Sequence, residues 1–192
     1  MKIGLYFGSF NPIHIGHLAI ANYIVEFSDI DELWFIISPQ NPEKNKTSLL
    51  QDYHRYQMVC AAIEEFPKMK ASKIEFTLPK PSFTINTLLH LDEYYPQHTF
   101  TLIMGGDNLQ TFNKWKKYET ILSNYKILVY NRPHCIIPDE FKNHPSISYL
   151  DAPLMEISSS FIRESIHNKK NIRAFMPEAA WKYLDEMNFY KK

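Results

Sequence analysis

The sequence is poor in cysteine and has no surplus charge of either sign. Its two cysteines, Cys60 and Cys135, lie far apart and form no CxxC pair, which argues against a disulfide framework or a structural zinc site and fits a reducing cytoplasm. Lys+Arg and Asp+Glu stand at 21 each, a formal net charge of zero. No global field therefore draws the chain to nucleic acid or to a membrane, and any anionic ligand must be held by local groups. Long apolar runs are missing as well. Nothing approaches the ~20 residues of a membrane span, and the N-terminal apolar run is broken by Gly8, Asn11 and Pro12 too early for a signal-peptide core. No internal repeat, low-complexity tract or linker-like shift in composition interrupts the chain. With 192 residues, 45% of them hydrophobic and 15% aromatic, the expectation is one compact domain spanning 1–192 with a real core.

What the sequence does contain is a regular alternation. Strand-length apolar runs recur at KIGLYF (2–7), ELWFIIS (32–38), KIEF (73–76), TFTLIMG (99–105), KILVY (126–130) and SISYL (146–150), reading as strands buried on both faces. Between them, 17–27, 53–66, 85–95 and 108–122 place apolar residues mainly three or four apart, as helices on a sheet do. Alternating strands and helices predict an α/β fold with a doubly wound parallel sheet, because parallel neighbours need a crossover and a helix commonly supplies it. Ligands of such sheets sit beyond the C-terminal ends of the strands.

At the end of the first strand stands GSFNPIHIGH (8–17). Gly8 lets backbone N–H groups approach an anion, and the helix that follows offers the positive end of its dipole. The loop lacks the GK[ST] of the Walker pattern and is not GxGxxG. Its distinctive feature is the pair His14 and His17, flanking Gly16 at the start of the helix, where both imidazoles can face one phosphate and donate hydrogen bonds without permanent charge. Isolated histidines also serve as helix caps or core partners, and an HxxH pair can be part of a metal site. Against a metal, zinc helices usually space histidines by four, and no nearby Glu or Cys completes a set.

GSFNPIHIGH resembles the phosphate loop of the HIGH-motif nucleotidylyltransferases. Four further segments, SPQNPEK (38–44), SFTINTL (82–88), IMGGDNL (103–109) with Trp115, and ISSSFIR (157–163), resemble in the same order those of bacterial nicotinate-nucleotide adenylyltransferases. The resemblance runs to the C-terminal MPEAAWKYLDEMNFY. It implies a Rossmann-like nucleotidylyltransferase domain with a small C-terminal helical portion. It also implies transfer of an adenylyl group from ATP to nicotinate mononucleotide in NAD biosynthesis, with magnesium (Mg2+) carried on ATP. It would place Gly8, Ser9, Phe10, His14, His17, Gly105, Asp107, Ser158, Ser159 and Arg163 on ATP, with His14, His17 and Arg163 carrying the catalysis and Asp107 on a ribose hydroxyl. The acceptor would fall to Asn11, Lys44, Thr84, Thr87 and Trp115. The implied partners are these two small molecules, with no nucleic acid and no membrane, and a homo-oligomer is compatible with the sequence.

The residues also carry plainer readings. Ser158 to Ser160 can be an ordinary N-cap, although an N-cap cluster and an anion site use the same free amides. Lys44 can be a solvated loop charge and Trp115 a core residue. Asn86 stands where the family commonly has Asp, so no charge-based role passes to it. KMKAS (68–72) is similar to the second signature of class I aminoacyl-tRNA synthetases but precedes half of the predicted strands, and is read as a surface turn. The rival functions are a small nucleotidylyltransferase acting on phosphopantetheine, glycerol phosphate or nicotinamide mononucleotide, and a non-catalytic nucleotide sensor.

Overall fold

In the computed structural model, which describes residues 1–39, 49–133 and 135–191, the strands are β1 (Lys2–Gly8), β2 (Glu32–Ile37), β3 (Met69–Ser72), β4 (Thr99–Gly105), β5 (Lys126–Tyr130) and β6 (Ile147–Leu150). They form one sheet in the order β3-β2-β1-β4-β5-β6, every neighbouring pair parallel. The helices are α1 (Ile15–Phe27), α2 (Asp52–Ile63), α3 (Thr84–Tyr94), α4 (Gly106–Leu109), α5 (Tyr118–Asn124), α6 (Asp139–Lys142), α7 (Ser159–His167) and α8 (Glu178–Glu186). The expected doubly wound, Rossmann-like sheet is therefore present, and among the described residues no helix is long and apolar enough to cross a membrane.

Strand periodicity of two divides the core into two layers. On β2, Leu33, Phe35 and Ile37 join one cluster with Tyr6, Ile24, Val59, Ile162 and Leu184. Their neighbours Trp34 and Ile36 join the other, with Leu5, Leu88, Leu102, Phe112 and Ile127. All of β2 is buried, as a strand covered by helices on both faces must be. The strand order reverses between β1 and β4, so the crevice beyond their C-terminal ends, Gly8 and Gly105, is the switch point of the fold.

Two expectations need correction. KMKAS is no surface turn, since Met69–Ser72 pairs with β2 from Leu33↔Met69 to Ile36↔Ser72. Met69 is buried, while Lys70 reaches Glu32 at 2.8 Å with most of its side chain in solvent, a pattern suited to an edge strand. KIEF instead curls into a 3-10 turn at Ile74–Phe76, closed by the Phe76 N–H on Lys73 O at 2.9 Å. Segment 108–122 is likewise not one helix. It breaks into α4, a 3-10 turn at Phe112–Lys114 and α5, because Trp115 is extended and Lys117 takes a left-handed φ of 54°.

Candidate active site

The loop after β1 is shaped by its own aromatic residue. Phe10 adopts a left-handed φ of 44°, costly for a residue with a side chain, and folds its ring back into the core beside Tyr6, Phe35 and His17. A Cβ at Gly8 would lie 2.8 Å from that ring, so only glycine fits there. Phe10 thus lends the site its backbone, while its ring, 2% exposed, is structural.

His14 caps α1 with extended backbone and His17 stands in the first turn. The two rings stack with centroids 3.7 Å apart and planes 25° apart. The His14 main-chain N–H donates to His17 Nδ1 at 3.3 Å, which puts the proton of neutral His17 on Nε2. His14 is buried, and its Nδ1 makes no hydrogen bond among the described residues. Burial, reinforced by the positive charge of Arg132, lowers its pKa to about 3. A Cβ at Gly16 would come 3.1 Å from that nitrogen.

Across the switch point, β4 delivers Asp107. A Cβ at Gly105 would be 2.3 Å from Asp107 Oδ1 and 3.1 Å from the Tyr130 ring, so this glycine permits the carboxylate to fold back over the strand end. Arg132, just beyond β5, places Nε 3.9 Å from Asp107 Oδ1 and donates from Nη2 to Tyr130 Oη at 3.3 Å. Tyr6 also donates to Tyr130 Oη, at 3.2 Å. Arg132 Nε is buried without a hydrogen-bond partner among the described residues. Sequence reading missed this arginine, although its place directly after a strand, at the ligand-binding edge of the sheet, was the available signal.

ISSSFIR docks onto the loop from the other end of the chain. Ser158 Oγ accepts from the Phe161 N–H at 3.2 Å as a true N-cap. Ser159 Oγ donates to Pro12 O at 2.9 Å. Arg163 donates from Nη1 to Asn11 O at 2.8 Å and from Nη2 to Ser160 Oγ at 3.2 Å. Cap and docking coexist in one segment.

A second arginine missed in the sequence supports the loop from below. Arg55 on α2 is fully buried. It donates to Ser9 O and Ser38 O from Nη1, to Pro39 O and Asp52 Oδ1 from Nη2, and to Leu50 O from Nε. All five of its N–H groups are used.

The residues expected at the acceptor are more dispersed. Thr84 opens α3 half-buried and Asn86 is exposed. Thr87 has no exposed surface, and its hydroxyl donates to Glu75 Oε1 at 2.6 Å, so it braces the turn from inside. Trp115 is half-buried, edge-on to Phe112 at 5.4 Å. Asn11 is buried, its Oδ1 accepting from the Leu50 N–H and from Tyr190 Oη. Lys44 lies outside the described residues. Phe10 and Ile13 of the loop after β1 pack on the layer of α1 and α7, whereas Phe83 and Trp115 pack on the layer of α3 and α5. A ligand reaching both would lie across the C-terminal edge of the sheet.

The cytidylyltransferase-like family model matches residues 5–165. A probable nicotinate-nucleotide adenylyltransferase of Flavobacterium psychrophilum is 55% identical, with each chain covered in full. One from Bacteroides fragilis is 48% identical over 95% of this chain and 90% of its own. Among solved structures, the Plasmodium falciparum nicotinic acid mononucleotide adenylyltransferase complexed with NaAD superposes with a TM-score of 0.83 at 22% identity, covering 99% of this chain and 97% of that one. The last likeness concerns the fold, but the family model and the near full-length relatives concern the sequence itself. The chain belongs to the cytidylyltransferase-like family and, within it, to the nicotinate-nucleotide adenylyltransferases.

Proposed function

We propose that this chain transfers the adenylyl group of ATP to nicotinate mononucleotide, releasing pyrophosphate and nicotinate adenine dinucleotide. The observation that carries the reading is the stacked His14–His17 pair at the N-terminus of α1, in a loop that α7 grips through Ser159 and Arg163. An oxygen of the acceptor phosphate attacks the α-phosphorus of ATP; that O–P bond forms as the bond to the bridging oxygen of the β-phosphate breaks, and pyrophosphate leaves with the electron pair. The attacking phosphate is already ionised near neutral pH, so no general base is required. Alignment and stabilisation of developing charge supply the rate.

His14 and His17 serve as preorganised donors to the phosphates, and Arg163 adds a permanent charge on a planar fork. The N-terminal amides of α1 and α7 complement the same anion. In this reading Asp107, 55% exposed at the side chain, accepts from a ribose hydroxyl. Among the described residues no group of three or more His, Cys, Asp or Glu side chains could hold a metal ion; in this proposal magnesium enters on the phosphates of ATP. Trp115 and the Thr84 turn offer a flat surface and a helix start for the pyridine carboxylate.

The deciding assay supplies ATP with nicotinate mononucleotide, nicotinamide mononucleotide, phosphopantetheine or glycerol phosphate, and measures pyrophosphate and the identified product. The acid mononucleotide is expected to give the highest kcat/KM. Preference for another acceptor, or nucleotide binding without turnover, would replace the assignment with one of its rivals.

A further inference from the structure

Asn11 is the joint at which the phosphate loop meets the rest of the chain. Its main-chain carbonyl accepts from Arg163 Nη1 at 2.8 Å. Its side-chain Oδ1 accepts from the Leu50 N–H at 3.2 Å and from the Tyr190 hydroxyl at 2.6 Å. Tyr190 is thereby bonded to a residue 179 positions earlier in sequence.

The chain after α8 turns back toward the loop through a capped helix end, the Asn188 N–H donating to Asp185 O at 3.1 Å. Asn188 takes the left-handed φ of 54° usual for asparagine at a helix end, and Tyr190 a left-handed φ of 61°, which an aromatic residue adopts rarely. The Phe189 N–H returns to Leu184 O at 3.2 Å, and the Phe189 ring lodges against His54 and Tyr183, at centroid distances of 4.8 and 6.2 Å. Phe189 therefore anchors the segment in the core, leaving the Tyr190 hydroxyl to be explained by what it touches. Burial pushes the Tyr190 phenol well above its ordinary range, against the opposing pull of Arg163 and Arg55. Its oxygen keeps its proton and remains a donor.

We infer that Tyr190 is a positioning residue for adenylyl transfer: its hydroxyl, bonded to Asn11 Oδ1, fixes the orientation of the Asn11 carbonyl and so the aim of Arg163. This inference rests on the function proposed above. Tyr190 touches neither reacting group in this account and acts through Asn11 alone. A tyrosine present only to fill space would be served equally well by phenylalanine.

The test is Tyr190→Phe, which keeps the ring and removes the hydroxyl. Turnover is expected to fall roughly tenfold, with KM for ATP moving less and the melting temperature nearly constant, since misplacement of a charge-stabilising group acts mainly in the transition state. Combined with Arg163→Lys, the two losses should be less than multiplicative, because both act through one guanidinium. Wild-type kcat in Tyr190→Phe, or strictly multiplicative losses, would overturn the inference. Amide exchange at Ser9–Ile13 in the nucleotide-free protein separates this inference from the assignment of function. Faster exchange in Tyr190→Phe supports the positioning of the loop even if wild-type protein fails to form the dinucleotide, whereas unchanged exchange overturns it.

Discussion

The imidazole of His14 lies against that of His17 at 3.7 Å, and the backbone of the first residue donates to the ring of the second. The rings are one mechanical unit. His14 is wedged beneath by burial, and His17 is held in one tautomer by a bond whose donor cannot move without unwinding the start of α1. Such rigidity is what charge stabilisation needs, because donors already in place do not have to reorganise as charge develops.

His17→Ala should therefore fold normally and lose adenylyl transfer by roughly two to three powers of ten, the usual effect of deleting one preorganised donor. Steady-state kinetics beside a thermal melt decide it. Near-normal turnover in a folded variant would remove His17 from the phosphates.

Arg163 stabilises the loop and, in the proposed mechanism, the departing pyrophosphate. Arg163→Lys keeps the charge but loses the fork that reaches Asn11 O and Ser160 Oγ, so an intermediate fall in kcat is expected, with Arg163→Ala worse and ATP affinity affected less than turnover. If Arg163→Ala retains wild-type kcat and KM, the arginine is only a tie between α7 and the loop.

The lowered pKa of His14 makes stability depend on pH in a stated direction. Its folded value is about 3 against an ordinary 6.5, so between those values the unfolded chain binds a proton that the folded chain does not. The contribution is fully present above about pH 6.5 and is lost as pH falls toward 3. Urea midpoints at pH 7 and pH 5 should separate more for wild type than for His14→Gln, which cannot titrate. Equal separations in the two proteins would contradict a buried neutral His14.

Thr87→Val should destabilise the fold by about 1–3 kcal/mol, the range for leaving a buried acceptor unpaired. The Glu75 pKa is already raised by burial and held back by the Thr87 hydroxyl. Removing that donor raises it further, and since the folded state then binds the proton more tightly than the unfolded state, the loss should be larger at pH 8 than at pH 5. Urea denaturation at both values measures it. A pH-independent loss would mean that Val at 87 disturbs packing alone.

The loop after β1 was legible because glycine, proline and two histidines at a strand-to-helix turn leave a local signature, and the parallel sheet was legible because β1, β2, β4 and β5 each carry a mainly apolar run. KIEF was misread because a short apolar run does not distinguish a strand from a tight turn, while Met69–Ser72 becomes a strand only through pairing with Leu33–Ile36. Thr87 looked like a ligand contact, since sequence cannot reveal that Glu75, twelve residues earlier, takes its hydroxyl. Arg55 and Tyr190 were invisible for a related reason. Four of the groups that hold Arg55 are main-chain carbonyls, which every residue possesses and no motif records.

The bonds of Arg55 make three stretches of chain interdependent. Ser9, Ser38–Pro39 and Leu50 present their carbonyls to one guanidinium sealed inside the protein, so withdrawal of any one leaves a charged donor without water or partner, a penalty of about 1–3 kcal/mol or more. The loops cannot be redesigned one at a time: a swapped segment must reproduce a carbonyl position as well as a sequence. Substitutions in this site are thereby steered toward side chains that project from the backbone, so that specificity can change while the path of the chain stays fixed.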